Sequence, residues 1–230
     1  MHSAQHPATR FPLHVHYCHG LESGPDGYKA RSMRTRYAQL TAPDMQMSLW
    51  NPRARNAVVR HLMRRIPTTP PVWWLAGAFE DAMNACIDIQ RRALNAPDVL
   101  VGSSWGAAVA ASLLALGPWR GPTVLLCPAL RQIERWMYPR GPLPSSAITA
   151  AGVAERLASL PKTVKARCLI VHGTRDRVVP LEDSRWLSQR SGIRLMEIQG
   201  GSHGLGAMVT EGQLYTFVEH VADFKTAPQP

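Results

Sequence analysis

Residues 101–110 read VGSSWGAAVA, and the fold turns on how that stretch is parsed. Before it, DVLV (98–101) has the β-branched, apolar character of a buried strand; after it, AAVAASLLAL (107–116) has the small and straight-chain residues of a helix. Between them, Gly102-Ser103-Ser104-Trp105-Gly106 fits G-x-S-x-G with Ser104 at its centre. A serine on such a strand-to-helix turn sits on a sharp bend, and glycines flank it because side chains there collide with the strand and helix being joined. The same residues also suit a tight packing corner without chemistry. Partners elsewhere in the chain decide between the two readings, and Ser103, at the variable position, is a bystander in either.

A serine is a poor nucleophile at neutral pH and needs a base, plus a third group that fixes the base's tautomer. Downstream, CLIVHGTRDRVVP (168–180) ends a strand and offers Asp176 in a short loop. Taken alone, Asp176 reads equally as a turn or cap aspartate, or as a partner of Arg175 and Arg177. RLMEIQGGSHGLG (194–206) then ends another strand and delivers His203 in a glycine-rich loop before an amphipathic helix. Ser104, Asp176, His203, each just past a strand end, is the order expected of a triad built around this type of elbow. An oxyanion formed at such a serine needs two N–H donors: Trp105, next after the nucleophile, and one from a loop after an early strand. HVHYCHGLESGPDGYKAR (14–31) supplies that loop, with Gly20 letting the chain turn so that the Leu21 N–H points into the site. His19 is expected to brace the loop rather than act as a second base, and Glu22 and Ser23 are candidates to face the substrate.

On HG at 19–20, the elbow at 102–106, the aspartate of GTRDRVVP and the histidine of GGSHG, the chain resembles the α/β-hydrolase superfamily over nearly its full length. Its opening, HGLESGPDGYKA, is similar to that of small bacterial serine esterases. The resemblance implies an α/β-hydrolase fold: a mostly parallel sheet, helices on both faces and a small cap, the first strands of larger relatives being absent. It also implies a hydrolase cleaving a carboxylic ester or thioester through an acyl-enzyme. Catalytic residues would be Ser104, Asp176 and His203, with Leu21 and Trp105 as oxyanion donors and His19, Gly20, Gly102 and Gly106 in support. An acyltransferase or peptidase on the same triad, or a non-catalytic protein binding an anionic partner, are the alternatives. Tryptophan after the nucleophile is bulkier than the usual residue and is expected to narrow the acyl pocket.

Composition sets the frame. At 230 residues and 45% apolar content, the chain can bury the core of a single α/β domain spanning 1–230. No apolar stretch is long enough for a membrane span and no secretory leader is evident at the start, so a soluble, cytoplasmic protein is expected. The formal charge is +10, but the basic residues are spread out. The densest stretch, NPRARNAVVRHLMRR (51–65), lets Arg53, Arg60 and Arg64 share a helical face, and no nucleic-acid-binding motif accompanies it. Cys18, Cys86, Cys127 and Cys168 lack metal-site spacing and read as small buried residues. With no phosphate loop, dinucleotide fingerprint or metal motif, no cofactor and no metal is expected, and the partner is a small ester.

Periodicity places strands at Leu13–Cys18, Tyr37–Thr41, Val72–Leu75, Val99–Gly102, Thr123–Leu126, Cys168–His172 and Arg194–Ile198, with helices at Ala78–Leu94, Trp105–Leu116 and Leu181–Ser191. Pro128 to about Lys165 breaks this rhythm, and its prolines and aromatics suggest a cap-like insertion. Trp73 and Trp74 are expected in the core; Trp136, Met137 and Tyr138 incline towards a pocket.

Overall fold

The computed structural model describes residues 10–21, 23–47, 72–137 and 148–223, with the side chains of 72–80 and 136–137 excepted. Six strands, β1 (Phe11–Cys18), β2 (Tyr37–Thr41), β3 (Val99–Ser103), β4 (Thr123–Leu126), β5 (Cys168–Gly173) and β6 (Arg194–Ile198), form one sheet in the order β2-β1-β3-β4-β5-β6. Every neighbouring pair is parallel. Parallel neighbours need crossovers, and these are supplied by α1 (Tyr28–Arg36), α2 (Val72–Ala93), α3 (Trp105–Leu116), α4 (Leu130–Met137), α5 (Ala150–Ala158), α6 (Lys162–Lys165) and α7 (Leu181–Ser191); α8 (Gly206–Thr210) and α9 (Gln213–Asp223) follow β6.

Strand side chains alternate faces, and both faces are apolar because both are covered. Leu100, Leu125 and Ile170 pack with Met83 and Cys86 of α2, Leu113 and Leu114 of α3, Leu157 of α5 and Leu187 of α7. Val99, Val101, Val124, Leu126, Leu169 and Val171 face the other way, onto Met33 of α1 and Val218 and Val221 of α9. All four cysteines are free and buried. Among the described residues no helix is long and apolar enough to cross a membrane.

Two expectations need correcting or bounding. Val72–Leu75 is not a strand: it opens the 22-residue helix α2. Of the insertion at 128–165, α5 packs on α3 and α7 in the helical layer over the sheet. Asp183 of α7, 4% exposed, accepts from Arg135 Nη1 at 3.0 Å and so pins α4 to that layer. Glu22, Tyr138 and the basic stretch holding Arg53, Arg60 and Arg64 lie outside the described residues, as do the side chains of Trp73, Trp74, Trp136 and Met137.

Candidate active site

In an open parallel sheet a crevice opens where the strand order changes direction. Here the chain moves outward from β1 to β2 and then returns to place β3 on β1's other side, so β1 and β3 flank the switch point. Cys18 and Gly102 are register partners, which sets His19-Gly20 beside Ser103-Ser104.

Ser104 has φ 56° and ψ −115°, a backbone state that costs a non-glycine residue about 1–3 kcal/mol. The surroundings hold it there. Its N–H donates to the Leu126 carbonyl at 2.8 Å, while its own carbonyl accepts from Ala107 and Ala108 at 3.0 and 3.1 Å as α3 begins. The glycines act as expected: a Cβ on Gly102 would lie 2.5 Å from the Gly106 carbonyl oxygen, and one on Gly106 would strike the carbonyls of Cys18 and His19. At Gly20 a Cβ would come within 3.4 Å of Ser104 Cβ, which measures how closely the first loop passes the serine.

The sheet brings the three separated residues together. His203 Nε2 lies 2.9 Å from Ser104 Oγ, and its Nδ1 lies 2.7 Å from Asp176 Oδ2. A carboxylate oxygen only accepts, so the ring hydrogen belongs on Nδ1 and Nε2 is left to accept the serine hydroxyl. The loops carrying Asp176 and His203 are stitched to each other: Thr174 N–H donates to the Ile198 carbonyl and Arg175 N–H to that of Gly201, at 3.0 and 2.9 Å. Gly173 is required at this crossing, since a Cβ there would strike the Gly201 carbonyl.

Asp176 proves to be both a turn residue and a partner of histidine, through different oxygens. Its Oδ1 accepts the Val178 and Val179 N–H groups at 2.8 and 2.9 Å, an Asx-type turn; its Oδ2 faces His203. Burial opposes its charge, but hydrogen bonds from His172, His203 and the two amides outweigh burial and hold the carboxyl well below the usual carboxylate range. The alternative pairing with Arg175 and Arg177 does not form, and both arginines are exposed.

His19 is 1% exposed and spans two backbone groups: Nε2 accepts the Met45 N–H at 2.9 Å and Nδ1 donates to the Gly20 carbonyl at 2.9 Å. Both nitrogens are thereby committed, as a brace under the loop requires. Ser23 Oγ donates to the same Gly20 carbonyl at 3.3 Å. Leu21 follows in this turn, and the Trp105 amide stands in the first turn of α3, where helix N–H groups point out beyond the N-terminus. The Trp105 ring is 1% exposed and belongs to the core on the α2–α3 face.

Two neighbours were not anticipated. Cys127, at the end of β4 with φ 47°, lies beside Asp176; burial pushes its thiol up to about 12. His172 is the penultimate residue of β5, just before the loop that carries Asp176. Cys127, His172 and Asp176 are the one group among the described residues whose donor atoms, all within 4.8 Å, could hold a metal, but both carboxylate oxygens already accept from His203 or the backbone. A cysteine and a histidine at strand ends carry no separate sequence signal, and neither a position four residues before Asp176 nor one at the end of another strand distinguishes them.

No protein-family profile matches the chain, and neither does any curated protein. Solved structures do match. A protein of the alpha/beta superfamily from Xanthomonas campestris pv. campestris shares 24% identity at a TM-score of 0.53, covering 94% of this chain and 99% of its own. A Thermus thermophilus protein aligns at a TM-score of 0.63 with 18% identity, over 94% of this chain and 91% of its own. A thermophilic esterase from Thermogutta terrifontis gives 0.53 and 18%, over 99% and 89%. Sheet order, a strained serine at the switch point and these likenesses agree: the chain has the α/β-hydrolase fold.

Proposed function

We propose that this protein is a serine hydrolase cleaving a carboxylic ester or thioester of small to medium acyl length, as one unit over 1–230 with the segment at about 128–165 serving as a cap. The observation that carries the reading is the continuous run from Ser104 Oγ through His203 to Asp176, at 2.9 and 2.7 Å. The Thermogutta esterase, whose structures hold propionate or a phosphorylation by paraoxon, lends support as a relative in fold.

His203 Nε2 takes the Ser104 proton as Oγ bonds to the carbonyl carbon and the carbonyl electron pair moves onto oxygen. The Leu21 and Trp105 N–H groups receive that oxyanion. Collapse breaks the ester C–O (or thioester C–S) bond, and the leaving alcohol or thiol carries off the proton from His203. Water then attacks the acyl-serine, giving a proton to His203, and Ser104 Oγ departs with it, releasing the carboxylic acid. Asp176 keeps the ring oriented and offsets its positive charge in both halves.

The test is fluorophosphonate labelling of the purified protein and of Ser104→Ala, with hydrolysis of p-nitrophenyl acetate, butyrate and octanoate. Labelling confined to the wild type, with kcat lower in the variant by several powers of ten (about 10⁶), is expected. Folded wild-type protein that resists the probe and leaves all three esters intact would overturn the reading.

A further inference from the structure

The hydrogen-bonded chain does not stop at the carboxylate. His172 is 0% exposed, on a strand whose other side chains are apolar, and burying an imidazole there is costly unless both nitrogens are used. Both are. Nδ1 lies 2.7 Å from Ser184 Oγ on α7; Nε2 lies 3.1 Å from the Val179 carbonyl and 3.2 Å from Asp176 Oδ2. The last two atoms can only accept, so the ring hydrogen sits on Nε2, aimed at the carbonyl with a weaker branch to the carboxylate, and Nδ1 accepts the Ser184 hydroxyl.

This geometry does something that backbone alone would not. Among the described residues the backbone donors to the Asp176 carboxylate, the Val178 and Val179 amides, both hold Oδ1, and turning about the Cβ–Cγ bond moves the two oxygens together. His172 Nε2 lies 3.2 Å from Oδ2, the same oxygen that receives His203 Nδ1, and so adds a restraint at the other end of the carboxylate. We infer that His172, held by Ser184, is a positioning residue for the proposed reaction, locking the Asp176 carboxylate so that Oδ2 stays aimed at His203. The inference rests on the serine-hydrolase reading for its consequence in catalysis, but not for the geometry. Other groups bearing on this cluster are the Cys127 thiol just past β4, Lys29 of α1, which acts on Cys127, and Glu197 of β6, the register partner of His172, itself engaged by Arg185 of α7. None of them stands where the His172 N–H does.

Two readouts test it. The first is the downfield Nδ1 proton resonance of His203 by NMR, which needs no turnover. The second is the pH profile of kcat and kcat/KM on p-nitrophenyl acetate. In His172→Leu the carboxylate loses a donor and is freed to turn: the resonance moves, kcat falls by about tenfold or more with KM little changed, and the acid limb of kcat/KM moves to higher pH because more carboxylate charge is left for His203. His172→Gln, whose amide can place a donor near the lost Nε2, restores kcat to within about threefold. Ser184→Ala, a milder change that also covers the case in which His172→Leu does not fold, moves the resonance in the same direction by less. A His203 resonance and acid limb unmoved in every folded variant would overturn the inference while leaving hydrolysis intact. Absence of ester hydrolysis by the wild type, with the resonance still shifted in the variants, would overturn the functional reading and keep the positioning role.

Discussion

Replacing Gly102 by alanine puts one methyl group into the elbow, and its cost can be worked from the coordinates. The new Cβ would sit 2.5 Å from the Gly106 carbonyl oxygen, 2.6 Å from Ala107 Cα and 2.8 Å from Ala110 Cβ. Two of these three are backbone atoms of α3, so no side chain can rotate out of the way. Reaching even a tight contact of 3.0 Å moves the first turn of the helix by about 0.5 Å, and an ordinary contact of 3.4 Å moves it by about 0.9 Å. Overpacking of this kind costs about 1–3 kcal/mol of stability. The retreating turn carries Ser104 and the Trp105 amide with it, and misplacement on this scale lowers the rate by about ten- to a hundredfold. Urea unfolding and p-nitrophenyl acetate hydrolysis of Gly102→Ala measure the two effects. Gly206→Ala is the control: nothing lies within 4 Å of its added Cβ, at the start of α8, and it should retain both stability and rate. A Gly102→Ala protein as stable and as fast as wild type would refute the argument from close approach.

Asp176→Asn keeps an acceptor for the Val178 and Val179 amides but turns an amide N–H towards His203, favouring the wrong ring tautomer. A loss of about 10³–10⁴ in kcat is expected in steady-state assays, with folding retained by circular dichroism. Stability should fall on the acid side, for two reasons with the same sign. Burial, aided by the nearby His14, outweighs the Gln90 hydrogen bond and lowers the His16 pKa from 6.5, so the unfolded chain takes up a proton first and stability declines as pH drops below 6.5. Asp176, held well below its ordinary value of 3.8, adds stability that is present above that pH and is lost as pH falls further. Urea midpoints at pH 7.5, 5.5 and 4 should decrease in that order, and a His16→Leu protein with an equally steep decline between 7.5 and 5.5 would remove His16 from the account.

The sheet was readable because its strands are covered on both faces and so appear as short apolar runs: Tyr37–Thr41, Thr123–Leu126 and Arg194–Ile198 match the observed bounds, and the other observed strands differ by one or two residues. The apolar run Val72–Leu75 misled for the converse reason, since four apolar residues suit a buried strand as well as the start of a helix. Helix α1 left little trace: YKARSMRTR is basic, and only Ala30 and Met33 are buried, too thin a stripe to mark a helical face. From Pro128 to about Lys165, prolines and aromatics suggested a cap-like insertion without marking its helices, one of which, Lys162–Lys165, starts at Pro161. Ser104, Asp176 and His203 were legible through their order and their place after strands. What the sequence left open was Asp176's second duty in its own turn and the His172 contact, because nothing in a strand's pattern says whether its last ring reaches a side chain four residues on.

The sheet gives the three residues unequal footing. Ser104 follows β3, which is paired along both sides, whereas His203 follows β6, an edge strand whose one neighbour among the described residues is β5. Separating β6 breaks a single ladder; separating β3 breaks two and opens both halves of the core. Local opening in proteins starts where the fewest bonds must be broken. His203 can therefore leave while Ser104 and Asp176 keep their places, and under the proposed function activity and fold become separable events: a molecule could hold most of its secondary structure and yet be chemically silent.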